Sequence, residues 1–73
     1  MKPRVGHIVW YRTAAWEGGP LTDYAAIIVR MERADVLDLV VFDPNTVLEM
    51  NARRGVAHDP TGETPGTWRW PVD

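Results

Sequence analysis

Tyr24-Ala25-Ala26-Ile27-Ile28-Val29-Arg30-Met31, then Glu32-Arg33-Ala34-Asp35, then Val36-Leu37-Asp38-Leu39-Val40-Val41-Phe42, is the stretch on which the fold turns. Tyr24, Ile27, Ile28, Met31 and Ala34 fall at helical spacing, so a helix across the middle is one reading. The β-branched runs Ile27-Ile28-Val29 and Val40-Val41 favour the other, because such side chains lose rotamer freedom in a helix and pack well on a pleated surface. Tyr24–Met31 and Val36–Phe42 are therefore expected to be antiparallel strands joined through Glu32–Asp35. Asp43-Pro44-Asn45 stops the second strand, since proline lacks an N–H and restricts the residue before it.

Outward from this pair, Val5-Gly6-His7-Ile8-Val9-Trp10-Tyr11-Arg12 has the β-branched and aromatic content of a first strand. One face would carry Val5, His7, Val9 and Tyr11 and the other Ile8 and Trp10, and the composition does not rank them. Thr13 to Thr22, with Gly18-Gly19-Pro20, reads as a long loop holding Trp16. Thr46–Met50 is a short strand candidate, or else Asn45 or Thr46 caps a helical turn running to Arg54 with Gly55 as its stop. In the strand reading the chain turns over Asn51–Gly55, Val56–His58 is briefly extended, and Asp59–Gly66 is a loop. Thr67-Trp68-Arg69-Trp70 alternates as a terminal strand with both tryptophans on one face, stopped by Pro71. The expected fold is mostly β, a small, strongly bent sheet or SH3-like barrel of five to six short strands. An α+β arrangement with one short helix is the alternative.

The chain has 73 residues, enough for one domain over 1–73. A domain of this size buries only about 60% of the surface its unfolded chain exposes. Without cysteine it has neither a disulfide nor a thiolate zinc site to brace the core, so packing alone, or packing with a partner subunit, must stabilise it. The four tryptophans are expected to supply much of that packing, two in the core and two partly exposed. The net charge of −2 and pI near 5.5 lack the basic footprint of a nucleic-acid binder. No apolar run approaches the roughly 20 residues that span a bilayer, and Met1-Lys2-Pro3-Arg4 leads into a strand-like segment, so a cytoplasmic location is expected.

Chemistry-bearing patterns are sparse. There is no serine and no cysteine, which excludes the usual nucleophilic triads. His7, His58 and Asp59 are the one combination that could hold zinc, but their spacing is not that of a metal site, and no metal or other cofactor is expected. Gly18-Gly19 lacks the strand, spacing and lysine of a phosphate-binding loop. Glu32, Asp35 and Asp38 surround the expected hairpin, where solvated carboxylates are ordinary. Arg12, Arg30, Arg33, Arg53, Arg54 and Arg69 could form a local basic face on which single-stranded nucleic acid stacks with aromatic rings, or they pair with nearby carboxylates. The aromatic set Trp10, Tyr11, Trp16, Tyr24, Trp68 and Trp70 is the most informative feature, since tryptophan is enriched at interface hot spots. Tyr11, Trp16, Arg54, Trp68 and Trp70 are the candidate binding residues, with Trp16 the best exposed and Trp68 and Trp70 also candidates for the core.

Arg54-Gly55-Val56-Ala57-His58-Asp59 and Gly66-Thr67-Trp68-Arg69-Trp70-Pro71 resemble the R-G-V-x-H-D and G-T-W-x-W-P endings of a group of small uncharacterised proteins from actinobacterial phages and prophages. Val5–Tyr11 and the Asp43-Pro44 turn are similar as well. In that group proline often stands at the position of Ala57 and histidine at that of Arg69. The resemblance implies no catalytic residues. It does imply a phage accessory protein in a host bacterial cytoplasm, non-enzymatic, binding a host or phage protein or assembling with copies of itself. A nucleic-acid-binding barrel using the arginines is the alternative function, and a metal-dependent enzyme at His7, His58 and Asp59 ranks third.

Overall fold

A computed structural model describes residues 2–14, 16–43 and 51–71. Its strands are β1 (Ile8–Ala14), β2 (Leu21–Met31), β3 (Leu37–Phe42), β4 (Asn51–His58) and β5 (Thr67–Arg69), closed into a barrel in the order β1-β2-β3-β4-β5. The first three form a meander: Tyr11 lies opposite Tyr24, and Ile28 opposite Leu39. β5 closes the barrel, antiparallel to β1 through Tyr11 and Trp68 and parallel to β4 through His58 and Trp68. The middle of the chain is thus two strands, as its β-branched runs predict, joined at Glu32–Asp35 by bonds from the Glu32 and Arg33 N–H groups to the Val36 carbonyl.

Two bulges bend these short strands far enough to close. β2 holds an extra residue between Ile28 and Arg30, and β4 holds one where Leu37 and Leu39 face Val56 and Arg53. At the second bulge Gly55 adopts φ +63°, a left-handed conformation that costs glycine little, and its N–H donates to Asp38 Oδ1 at 2.9 Å. Asn51–Gly55 is accordingly the start of β4, neither the expected turn nor the end of a helical turn. Asn51, Ala52 and Arg53 pair with Val41, Val40 and Leu39, and Gly55 serves as a bulge glycine, so sheet pairing overrides its stop signal. Thr46–Met50 lies outside the described residues. The expected loop over Thr13–Thr22 is shorter than anticipated, because Ala14 pairs with Leu21 and Thr13 with Thr22.

Val9, Tyr11, Tyr24, Ala26, Ile28, Leu37, Leu39, Val41, Val56 and Trp68 form the core. Strand alternation places each of them on the inner face. The Trp68 indole donates from Nε1 to the Asp35 carbonyl at 2.8 Å, anchoring β5 beneath the β2–β3 connection.

Candidate interaction surface

The expected binding residues separate by position. Trp68 is 1% exposed and Tyr11 8%, so both face the core and neither is open to a partner. Trp70 is half-buried, meeting Trp68 edge-on at a ring distance of 5.5 Å. Arg69 points to the opposite side, as alternation requires, and its guanidinium lies over the Trp10 ring at 5.3 Å. Trp16 is 64% exposed, and Gly19 leaves room for its indole, since a Cβ there would stand 2.6 Å from Trp16 Cε2. Arg54 is exposed on β4.

The two histidines do not meet. His7 packs edge-on against Trp70 at 5.7 Å, and His58 stacks on Trp68 at 4.2 Å, so two indoles stand between them. The oxygens of Asp59 are occupied by its own loop: Oδ1 accepts from Thr61 N and Oγ1 at 3.0 and 2.6 Å, and Oδ2 from Thr64 N at 3.0 Å. The Thr61 and Thr64 bonds hold the carboxyl well below the usual aspartate range. Asp59 is therefore a loop-ordering residue, and His7, His58 and Asp59 do not converge as metal ligands. Among the described residues no three of His, Cys, Asp and Glu are grouped to hold a metal ion.

Four of the arginines lie beside carboxylates. Arg12 and Arg69 both reach Asp23 Oδ2, at 3.2 and 2.7 Å, and Arg12 Nε also donates to the Gly62 carbonyl. Arg30 lies opposite Asp38 in the β2–β3 register. Asp38 is held below its usual range, chiefly by the Gly55 N–H and a hydrogen bond with Glu32, with the charges of Arg54 and Arg30 adding to the effect and burial opposing it. Arg53 donates to its neighbour's carbonyl at Ala52. Arg12 and Arg69 thus share Asp23, while Arg30 and Arg54 both lie near Asp38.

What the outer side of the barrel does gather is apolar. Ile8, Ile27, Val40 and Ala52 are successive cross-strand neighbours over β1, β2, β3 and β4. Trp10, Ala25 and Phe42 form the adjacent row over β1, β2 and β3. Over β1–β4 neither row contains a charged residue, but on β5 Arg69 pairs with Trp10 and its guanidinium lies over the Trp10 ring. Ile8 is 50% exposed and Phe42 53%, with exposed Val29 beyond Ile27 at the β2 bulge. Arg12, Asp23 and Arg69 border the band at one end, and Arg30, Asp38 and Arg54 at the other. An apolar centre within a polar rim is the anatomy of a protein interface. Sequence reasoning centred on tryptophans passes over Ile8, Ala25, Ile27, Val40 and Phe42. The signal for them was present: Ile27-Ile28-Val29 and Val40-Val41-Phe42 are continuous apolar runs, the pattern of strands covered on both faces, whereas a one-sided antiparallel sheet alternates.

Comparison with protein families, curated proteins and solved structures finds no match.

Proposed function

We propose that this chain is a non-enzymatic protein-interaction module, a phage accessory protein working in the cytoplasm of a bacterial host. The apolar outer face of β1–β3 carries the interaction reading: Ile8, Trp10, Ala25, Ile27, Val40 and Phe42 lie side by side where a solvated sheet would carry polar residues. Trp16, on the β1–β2 connection, is a second exposed contact. The phage setting rests on the resemblance of the Arg54–Asp59 and Gly66–Pro71 segments.

The test is protein capture on the immobilised chain from a host lysate, comparing wild type with Phe42→Glu and Ile8→Glu. Partners retained by wild type and lost with either variant support the reading. Capture that ignores both variants removes the outer face from it. Submicromolar oligonucleotide binding at physiological salt, lost in the Arg53→Ala/Arg54→Ala double variant, would replace it with the nucleic-acid alternative.

A further inference from the structure

We propose that Trp16 and Glu17, in the turn between β1 and β2, form a recognition site for an arginine side chain of the partner protein. This rests on the interaction reading above and names the chemistry of one contact within it. Gly19 shows how the indole is held. Its N–H donates to the Trp16 carbonyl at 3.0 Å, which closes the turn. Unlike Gly18, at φ +77°, Gly19 lies outside the left-handed region, so its backbone would accept a side chain. The obstacle is the ring: a Cβ at Gly19 would stand 2.6, 2.7 and 2.9 Å from Cε2, Nε1 and Cδ2 of Trp16. All three atoms belong to the five-membered ring, so one face of the indole rests on Gly19, while 64% of the residue stays exposed. Seated on its own turn, the ring offers its other face to a partner with little rotamer freedom left to lose.

Each of the other three indoles is already matched inside the fold. Arg69 lies over Trp10 at 5.3 Å, His58 stacks on Trp68, and Trp70 meets both Trp68 and His7 edge-on. Among the described residues Trp16 has no such ring or cation partner, and the exposed Glu17 beside it has no ion pair. An open π-face next to an unpaired carboxylate selects a cation, and guanidinium suits both, since it stacks flat on an indole and keeps its edge N–H groups for a carboxylate. The barrel holds its own Arg69 in this way, over the Trp10 ring and 2.7 Å from Asp23 Oδ2. The net charge of −2 favours the approach of a basic partner, and Glu17 would repel the phosphates of a nucleic acid.

The test is a titration of the whole chain with Nα-acetyl-arginine methylamide and, separately, with its neutral isostere Nα-acetyl-citrulline methylamide, at matched ionic strength and up to roughly 0.1 M. Indole Nε1–H resonances are followed by NMR, with the Trp16 signal identified by its loss in Trp16→Phe. That signal should respond at least about twofold more to the arginine compound than to citrulline, as an exposed cation–π contact changes affinity by about two- to fivefold. The signal of buried Trp68 should stay fixed under both. Gly19→Ala displaces the ring from its seat and Glu17→Gln removes the carboxylate, and each should at least halve the preference for arginine while keeping the wild-type circular dichroism. Should Gly19→Ala unfold the chain, the wild-type contrast and Glu17→Gln decide. Equal responses to arginine and citrulline overturn the inference, as does a preference for arginine that both variants leave unchanged. In either case partner capture that depends on Phe42 or Ile8 leaves the interaction reading standing without this contact. If that capture is absent as well, the two proposals fall together.

Discussion

Replacing Trp68 by alanine should remove a large part of the molecule's stability, and the size of the loss follows from what the ring touches. The side chain is 1% exposed, stacks on His58 at 4.2 Å, meets Trp70 edge-on at 5.5 Å and supplies the Asp35 carbonyl with a hydrogen bond of 2.8 Å. Deleting a buried tryptophan costs about 3–5 kcal/mol, and loss of the indole bond adds about 1 kcal/mol. A domain of 73 residues is stable by only about 4–11 kcal/mol in total. Its unfolding entropy near 60 °C is about 150 cal/mol/K, so each kcal/mol corresponds to roughly 6–7 °C of melting temperature. Trp68→Ala should therefore lower the melting temperature by about 25 °C or more. Trp68→Phe keeps a ring but loses the donor to Asp35, and should cost about 1–2 kcal/mol, or roughly 6–13 °C. Trp16→Ala removes a mostly exposed indole that lies against Gly19 and should shift melting by about 3 °C at most. Thermal unfolding by circular dichroism on the three variants is the assay. A larger drop for Trp16→Ala than for Trp68→Phe would show that the assignment of core and surface tryptophans is inverted.

Gly62→Ala and Gly18→Ala share the left-handed backbone cost of about 1–2 kcal/mol, at φ +72° and +77°. Only at Gly62 would the new Cβ stand 2.8 Å from Arg69 Nη1, so differential scanning calorimetry should show the larger loss there, and equal losses would mean that the Arg69 cluster yields freely. Asp38 and Asp59 both have folded pKa values below the ordinary 3.8, so each stabilises the fold above that pH and the contribution is lost as pH falls through the folded value. Melting temperature should be insensitive to these groups above about pH 5 and fall below about pH 4, less steeply in Asp59→Asn; a curve already falling between pH 7 and 5 would point to other groups. Melting curves with and without a chelator should coincide, because Asp59 is engaged by Thr61 and Thr64, and a drop of many degrees would reveal a structural metal.

The order of strands could be read from the residues where side-chain type and spacing agreed. The β-branched runs around Ile27 and Val40 specified β2 and β3, and the alternation of Trp68, Arg69 and Trp70 correctly set Arg69 apart from the two indoles. Face assignment in β1 was not legible, because Val9 and Tyr11 inside are matched by Ile8 and Trp10 outside. That ambiguity was itself the trace of an apolar outer surface. β4 was misread at Asn51–Gly55 because its pairing to β3 is non-local and its glycine has the same local signature in a bulge as in a turn. The carboxylate roles of Asp23 and Asp38 depend on register between strands distant in sequence, and no local pattern reports them. Tyr11 and Trp68 have the ring size of interface anchors but sit in the core, because ring size alone does not distinguish a core from an interface.

Closure of the barrel by β5 also governs how the chain reaches its native state. Tyr11 pairs with Trp68 across nearly the whole sequence, and the parallel contact of His58 with Trp68 requires the chain to travel around the Asp59–Gly66 loop first. The β1-β2-β3 meander can form from neighbouring segments, but its inner face stays open until Trp68 arrives. High contact order of this kind places small barrels in the millisecond-to-second range of folding times. A nascent chain would expose Val9, Ile28 and Leu39 throughout translation until Thr67–Arg69 had left the ribosome, making the interval before the last strand docks the stage of greatest vulnerability to aggregation.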